Sequence, residues 1–155
     1  MTTVVTAVVL FVVALLMSHL QLYNTLSAEA TSSTSSLKTA SGAVVSRGPY
    51  PITMGSANTI HPGAAIIAED GPIIIGSTNI IDDKAVIINR LPPGEKSSDA
   101  QVLIIGNNNI FKGGSHSEAL KIGNNNILES GSFLGREVEL TNNCIVGAAC
   151  VGTCP

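Results

Sequence analysis

Written in sixes from Ile122, the chain reads IGNNNI, LESGSF, LGREVE, LTNNCI and VGAACV, so an aliphatic residue opens every block: Ile122, Leu128, Leu134, Leu140 and Val146. Helices place apolar residues three and four apart and half-buried strands place them two apart. A sustained six, with Gly or a polar residue following, marks the hexapeptide repeat of a parallel β-helix. The same beat runs upstream. It begins weakly at Thr39 and Val45, becomes clear at Met54, Ile60 and Ile66, and continues through Ile75, Ile81 and Ile87 to Ile105 and Phe111.

Three blocks close one coil of a triangular prism, which predicts an all-β chain of about four to five coils. Hexapeptide repeats of this kind resemble left-handed parallel β-helices, an exception to the right-handed crossover preference, and the hand is taken from that resemblance. Assigning openers to sides in rotation, one side collects Met54, Ile75, Ile105, Leu128 and Val146. The next collects Ile60, Ile81, Phe111 and Leu134, and the third Ile66, Ile87, Ile122 and Leu140. Each set stacks inward at about 4.8 Å per coil. The interruptions obey the same geometry: Val45 to Met54 and Ile66 to Ile75 are nine residues each and Ile87 to Ile105 is eighteen, all leaving from one corner. The longest holds Leu91-Pro92-Pro93-Gly94-Glu95-Lys96-Ser97-Ser98-Asp99, a protruding loop by its turn residues. A second excursion, Gly113-Gly114-Ser115-His116-Ser117-Glu118, is expected from a different corner.

Smaller signals fit the prism. Gly55, Gly76, Gly106 and Gly147 follow openers of the first side, where a missing side chain lets coils approach. Asn58, Asn79 and Asn109 share one position of the repeat, so their amides are expected to form a ladder. Both ends of a solenoid leave unpaired backbone and need a cap or a partner. The blocks stop at residue 151, before a short tail at 152–155 with no amphipathic helix to close the edge.

Residues 1–36 are of another kind. Val4 to Met17 is a nearly unbroken apolar run of 14, Ser27-Ala28-Glu29-Ala30 offers a small-x-small cleavage site, and 31–36 is almost all Ser and Thr. This is signal-like. Yet no Lys or Arg precedes the run, and a membrane span needs about 20 residues. The division expected is thus an extension at 1–36, a β-helix at 37–151 and the tail.

Composition narrows the function. Aromatic residues are 3% of the chain and Trp is absent, so the core must be aliphatic. A net charge of −3 with 8 scattered Lys and Arg offers no field for nucleic acid. A zinc lyase on this scaffold needs three His around one open position, whereas the chain has His19, His61 and His116, the first within the apolar segment. No metal or cofactor is assigned. Acyl transfer needs only one His as general base near a cleft, and His116, in the Gly-rich excursion beside Ser115, Ser117 and Glu118, is the one candidate for that alternative. Its plainer reading is a solvated loop His, and that of His61 an exposed one. Cys144 and Cys150 read as small buried filler. With Cys154 they make an odd count without a disulfide framework, which leans toward a reducing compartment.

Several stretches together carry a family resemblance: Gly42-Ala43-Val44-Val45, the run from Thr59 to Gly76 (TIHPGAAIIAEDGPIIIG), Val86-Ile87-Ile88-Asn89, Leu103-Ile104-Ile105-Gly106-Asn107-Asn108-Asn109-Ile110-Phe111, and Lys121-Ile122-Gly123-Asn124-Asn125-Asn126. Their order, with the Pro-containing loop between the second and third coils, resembles the dynactin subunit 6 family over residues 37–151. The resemblance implies a non-catalytic subunit of the dynactin pointed-end complex, pairing with subunit 5 and joining subunit 4 and an actin-related protein. No nucleic acid or small-molecule substrate is expected. It also implies a cytoplasmic, cytoskeletal place in dynein-driven microtubule transport and in adaptor or cargo attachment. Members begin with a short polar lead and continue past the final blocks seen here. A working signal peptide is incompatible with a cytosolic complex, so 1–36 is expected to be a wrongly joined first exon or a divergence of this copy.

Overall fold

The computed structural model describes residues 38–39, 43–94 and 101–153; the apolar run, the Ser/Thr stretch, residues 95–100 of the long loop and the last two residues lie outside the described residues. The first coils are built from β1 (Lys38–Thr39), β2 (Val44–Arg47), β3 (Ile52–Met54), β4 (Thr59–Ile60), β5 (Ala65–Ala68), β6 (Ile73–Ile75), β7 (Ile80–Ile81), β8 (Val86–Asn89) and β9 (Leu103–Ile105). The later ones follow as β10 (Ile110–Phe111), β11 (His116–Ser117), β12 (Lys121–Ile122), β13 (Ile127–Leu128), β14 (Phe133–Leu134), β15 (Glu139–Leu140), β16 (Ile145–Val146) and β17 (Val151–Gly152). Every third strand pairs in parallel. The sheets run β1-β4-β7-β10-β13-β16, β2-β5-β8-β11-β14-β17 and β3-β6-β9-β12-β15, three flat sides of a parallel β-helix of about five coils.

Strands this short exist because each is made by its neighbours. The inward residue of most pairs is an aliphatic that packs on its equivalents above and below, and the outward one faces solvent. Ile60, Ile66, Ile75, Ile81, Ile87, Ile105, Phe111, Ile122, Leu128 and Leu134 are all at most 2% exposed, with Met54, Leu140 and Val146 partly buried against them. Burying such a side chain contributes roughly 1.5–3 kcal/mol. Two corners turn on a single left-handed residue. Between the β3 and β1 sheets these are Ala57, Thr78, Asn108, Asn125 and Asn143, with φ of 57–60°. Between the β1 and β2 sheets they are Gly63, Lys84, Gly114, Gly131 and Ala149, with φ of 56–72°.

The expected second excursion is not one. Residues 113–118 make an ordinary corner and then β11, with Ser117 in the opener's place, paired with Ile87 on one side and Leu134 on the other. From Ser117 to Ile122 is five residues, one short. Every departure from six in the described helix therefore falls at the corner between the β2 and β3 sheets: nine, nine, eighteen and five. Missing that block rotates the later openers by one side. Leu128 and Val146 stack under Ile60, Ile81 and Phe111 in the β1 sheet. Leu134 continues from Ile66, Ile87 and Ser117 in the β2 sheet, and Ile122 and Leu140 continue from Met54, Ile75 and Ile105 in the β3 sheet. The glycine row shifts likewise: Gly123, not Gly147, follows Gly55, Gly76 and Gly106 after the β3-sheet openers. These glycines are required by close approach, since a Cβ on Gly76 would lie 2.6 Å from the Gly106 carbonyl oxygen.

The asparagines hold the corner before the β1 sheet. Asn79 donates through its backbone N–H and Nδ2 to Asn58 Oδ1 at 2.8 and 3.1 Å, and Asn109 donates likewise to Asn79 Oδ1 at 2.9 and 3.0 Å. Asn126, one coil on, donates its N–H to Asn109 Oδ1 at 2.9 Å, and Cys144 N closes the column on Asn126 Oδ1 at 2.8 Å. Each Nδ2 also caps a carbonyl of the same corner: Gly55 and Gly76, Gly106, Gly123 or Thr141. A second, exposed ladder runs beside it, in which Asn107, Asn124 and Asn142 accept from the backbone N–H of Ser77, Asn107 and Asn124 at 2.7, 2.8 and 2.6 Å.

Candidate docking faces and the candidate base

The outward residues of each sheet form rows because the parallel register repeats coil by coil. On the β1 sheet the row is Thr59, Ile80, Ile110, Ile127 and Ile145. Four consecutive isoleucines on a solvent face break the usual alternation of apolar inside and polar outside, and Ile145 is 69% exposed. On the β3 sheet the row is Thr53, Ile74, Ile104, Lys121 and Glu139, with Lys121 Nζ 2.5 Å from Glu139 Oε1. Contiguous exposed apolar rows on a rigid flat surface are the physical signature of a surface made to be covered.

A shallow groove of about 340 Å³ lies on the β3 side, between Gln101 at the foot of the long excursion and the five-residue corner that holds Leu120. Val102, Ile104, Leu120 and Val138 supply apolar lining and Arg136, Glu137 and Glu139 charge. The excursion is tied at its feet. Asn89, fully buried, donates through Nδ2 to the carbonyls of Pro72 and Gln101 at 3.0 and 2.8 Å and accepts from Arg136 Nη1 at 3.0 Å. Asp70 Oδ2 accepts from Leu91 N at 2.8 Å.

His116 sits on a strand, which corrects its expected place in a loop. It points out of the β2 sheet in a row with Ala65, Val86, Phe133 and Val151, and its ring stacks on Phe133 with centroids 5.2 Å apart and planes at 22°. Its Nε2 lies 3.2 Å from Glu118 Oε1, an oxygen that also accepts from Arg90 Nη2 at 2.6 Å. Ser115 and Ser117, beside it in sequence, are buried on the opposite, inner face. The strand's alternation therefore separates the imidazole from both hydroxyls, and leaves it stacked in a surface row beside the Arg90–Glu118 ion pair. His61 is half-exposed with Nδ1 3.6 Å from Asp82 Oδ1. Among the described residues no three His, Cys, Asp or Glu side chains come together as metal ligands, and no helix is long and apolar enough to cross a membrane.

The cysteines also differ from expectation. Cys144 is half-buried and Cys150 exposed, both as free thiols, in the last described coil.

Sequence reasoning passed over the isoleucine row, although its signal was present: Ile80, Ile110, Ile127 and Ile145 each immediately precede an inward opener.

No family model matches the chain. Among curated proteins, it is 42% identical over 125 residues to dynactin subunit 6 of Xenopus tropicalis, covering 76% of this chain and 62% of that protein. It is 45% identical over 129 residues to dynactin subunit 6 of Danio rerio, covering 77% and 65%. It is 43% identical over 102 residues to dynactin subunit 6 of Nematostella vectensis, covering 64% and 55%. The chain thus spans less than two thirds of the length of these relatives. At 42–45% identity over most of its length in two vertebrate proteins and one cnidarian protein, the chain belongs to the dynactin subunit 6 family.

Proposed function

We propose that this chain is a non-catalytic structural subunit of dynactin, acting in the cytoplasm on the cytoskeleton within the pointed-end complex. The observation that carries the reading is its relatedness to dynactin subunit 6 over 76–77% of the chain in two vertebrate proteins. Outward isoleucines in register on a flat sheet support it, since they offer binding energy without a reactive group. Covering a half-exposed Ile contributes about 1 kcal/mol, so a row of them suits a permanent neighbour.

In this reading the β1 face docks subunit 5, a relative of this family, and subunit 4 and the actin-related protein complete the surroundings. The complex then serves dynein-driven microtubule transport and adaptor or cargo attachment. The acyltransferase alternative is disfavoured by His116, whose ring is stacked on Phe133 and whose Nε2 faces a glutamate already engaged by Arg90.

The test is purification of the endogenously tagged protein from cytosol, with mass spectrometry of its partners and intact N-terminus. Recovery of dynactin pointed-end subunits is expected. Recovery only from a membrane or secreted fraction, without them, would overturn the proposal.

A further inference from the structure

Three serine hydroxyls sit in the interior of the prism with no hydrogen-bond partner among the described residues: those of Ser115, Ser117 and Ser132. All three residues are at most 1% exposed. The register brings them together. Pairing of His116 with Phe133 and of Ser117 with Leu134 places Ser115 directly over Ser132 in the next coil, about 4.8 Å away. Ser117, two residues on from Ser115, is buried in the same interior.

Nothing in the packing demands oxygen at these positions. The equivalents of Ser115 and Ser132 in the coils above are Ala64 and Ala85, fully buried, so a methyl fits the column. Ser117 stands between Ile87 and Leu134 and lacks the branch carbons that both carry. Phe111, in the same coil, is the one ring among the fully buried side chains of the described residues. A buried hydroxyl left unpaired forfeits its hydration with no return, and three of them line one wall.

We propose that Ser115, Ser117 and Ser132 form an internal water site between the β11 and β14 coils, in which one ordered water bridges at least two of the hydroxyls. The ligand is neutral because the buried polar residues of the described core are asparagines and serines alone, with no charged side chain to hold an ion. Water is the fitting class, since it both donates and accepts and needs two to four polar neighbours in a space of about 30 Å³. The carbonyls of Ser115 and Ser132 already accept from Val86 N and His116 N at 2.8 Å, so the backbone here is paired and the hydroxyls alone lack partners.

The test uses the full chain and reads hydration and stability separately. A crystal structure at high resolution, or magnetisation transfer from bulk water in solution, is expected to show a long-lived water within hydrogen-bond reach of at least two of the hydroxyls, and Ser117→Val is expected to displace it. Ser115→Ala and Ser132→Ala, both folded because the column accepts alanine, are each expected to lower the melting temperature. The double variant should fall no further than the worse single one, since both singles break the same bridge. A dry interior, or single alanine variants that melt higher than the parent as relief of unpaired hydroxyls would require, overturns the proposal.

Discussion

The interior asparagine column can be weighed against its exposed twin by one substitution in each. Asn109→Ala removes three side-chain hydrogen bonds: Nδ2 to Asn79 Oδ1, Nδ2 to the Gly123 carbonyl, and Oδ1 from Asn126 N. Asn79 Oδ1 keeps the Asn109 backbone N–H at 2.9 Å, so that acceptor is not stranded. The Asn126 N–H is stranded, on a residue with no exposed surface. Leaving a buried donor unpaired costs about 1–3 kcal/mol, and each of the other two bonds contributes about 0.5–1.5 kcal/mol net. The expected loss is therefore about 3 kcal/mol, or roughly 10 °C in melting temperature for a domain of this size. Asn142→Ala in the outer ladder also loses two bonds, from Asn124 N and Nδ2, but water replaces them and the change should stay within about 0.5 kcal/mol. Asn109→Asp should be worse than alanine, because a carboxylate keeps the acceptor for Asn126 N but turns an anion toward the Gly123 carbonyl and Asn79 Oδ1. Equilibrium urea unfolding gives the differences, read from midpoints at constant slope. If Asn109→Ala cost no more than Asn142→Ala, packing alone would hold this corner and the reasoning would fail.

Other substitutions probe the same framework. Leu134→Asp places an unpartnered charge at an inward position 2% exposed and should cost several kcal/mol, abolishing the cooperative melt; a wild-type melting temperature would refute the inward assignment. Gly76→Ala would set a Cβ 2.5 Å from Asn107 Oδ1 and 2.6 Å from the Gly106 carbonyl oxygen, and should cost about 1–3 kcal/mol by calorimetry. Lys84 holds φ of 57° in a corner where Gly63, Gly114 and Gly131 stand in other coils. Lys84→Gly relieves roughly 1 kcal/mol of left-handed strain against a smaller gain in unfolded-state entropy, so a rise of about 0.5 kcal/mol is expected from thermal melts.

Much of this architecture was legible in the spacing of aliphatic residues. The blocks from Met54 to Phe111 could be assigned to sides because their openers are all hydrophobic and their insertions share a corner. The reading broke at Ser117, a serine in an aliphatic row, whose block is invisible to a hydrophobic pattern and is followed by a five-residue step. A hydrophobic filter sees the two anomalies together as one excursion, and every later side is then rotated. The Asn58, Asn79 and Asn109 column was visible as a repeat position; its continuation through Asn126 to Cys144 N needed the corrected register. The exposure of Cys144 and Cys150 could not be read from their positions in the blocks, since burial in a solenoid is conferred by the next coil. His116 looked like a loop residue because Gly113 and Gly114 precede it. In the structure Gly114 takes the same left-handed corner as Gly63 and Gly131, and the chain returns at once to a strand.

In the proposed function this β-helix is a docking scaffold whose outward isoleucines bind neighbours in dynactin. The most direct measurement is quantitative mass spectrometry of dynactin subunits recovered with tagged wild type and with a variant carrying Ile80→Lys and Ile145→Lys. Both positions are exposed, at 39% and 69%, so the variant should melt within a few degrees of the parent. Recovery of dynactin subunits with wild type, and its loss by tenfold or more with the folded variant, is the predicted result. Equal recovery with both would contradict the assignment of this face, and recovery of no dynactin subunit with wild type would contradict a place in that complex.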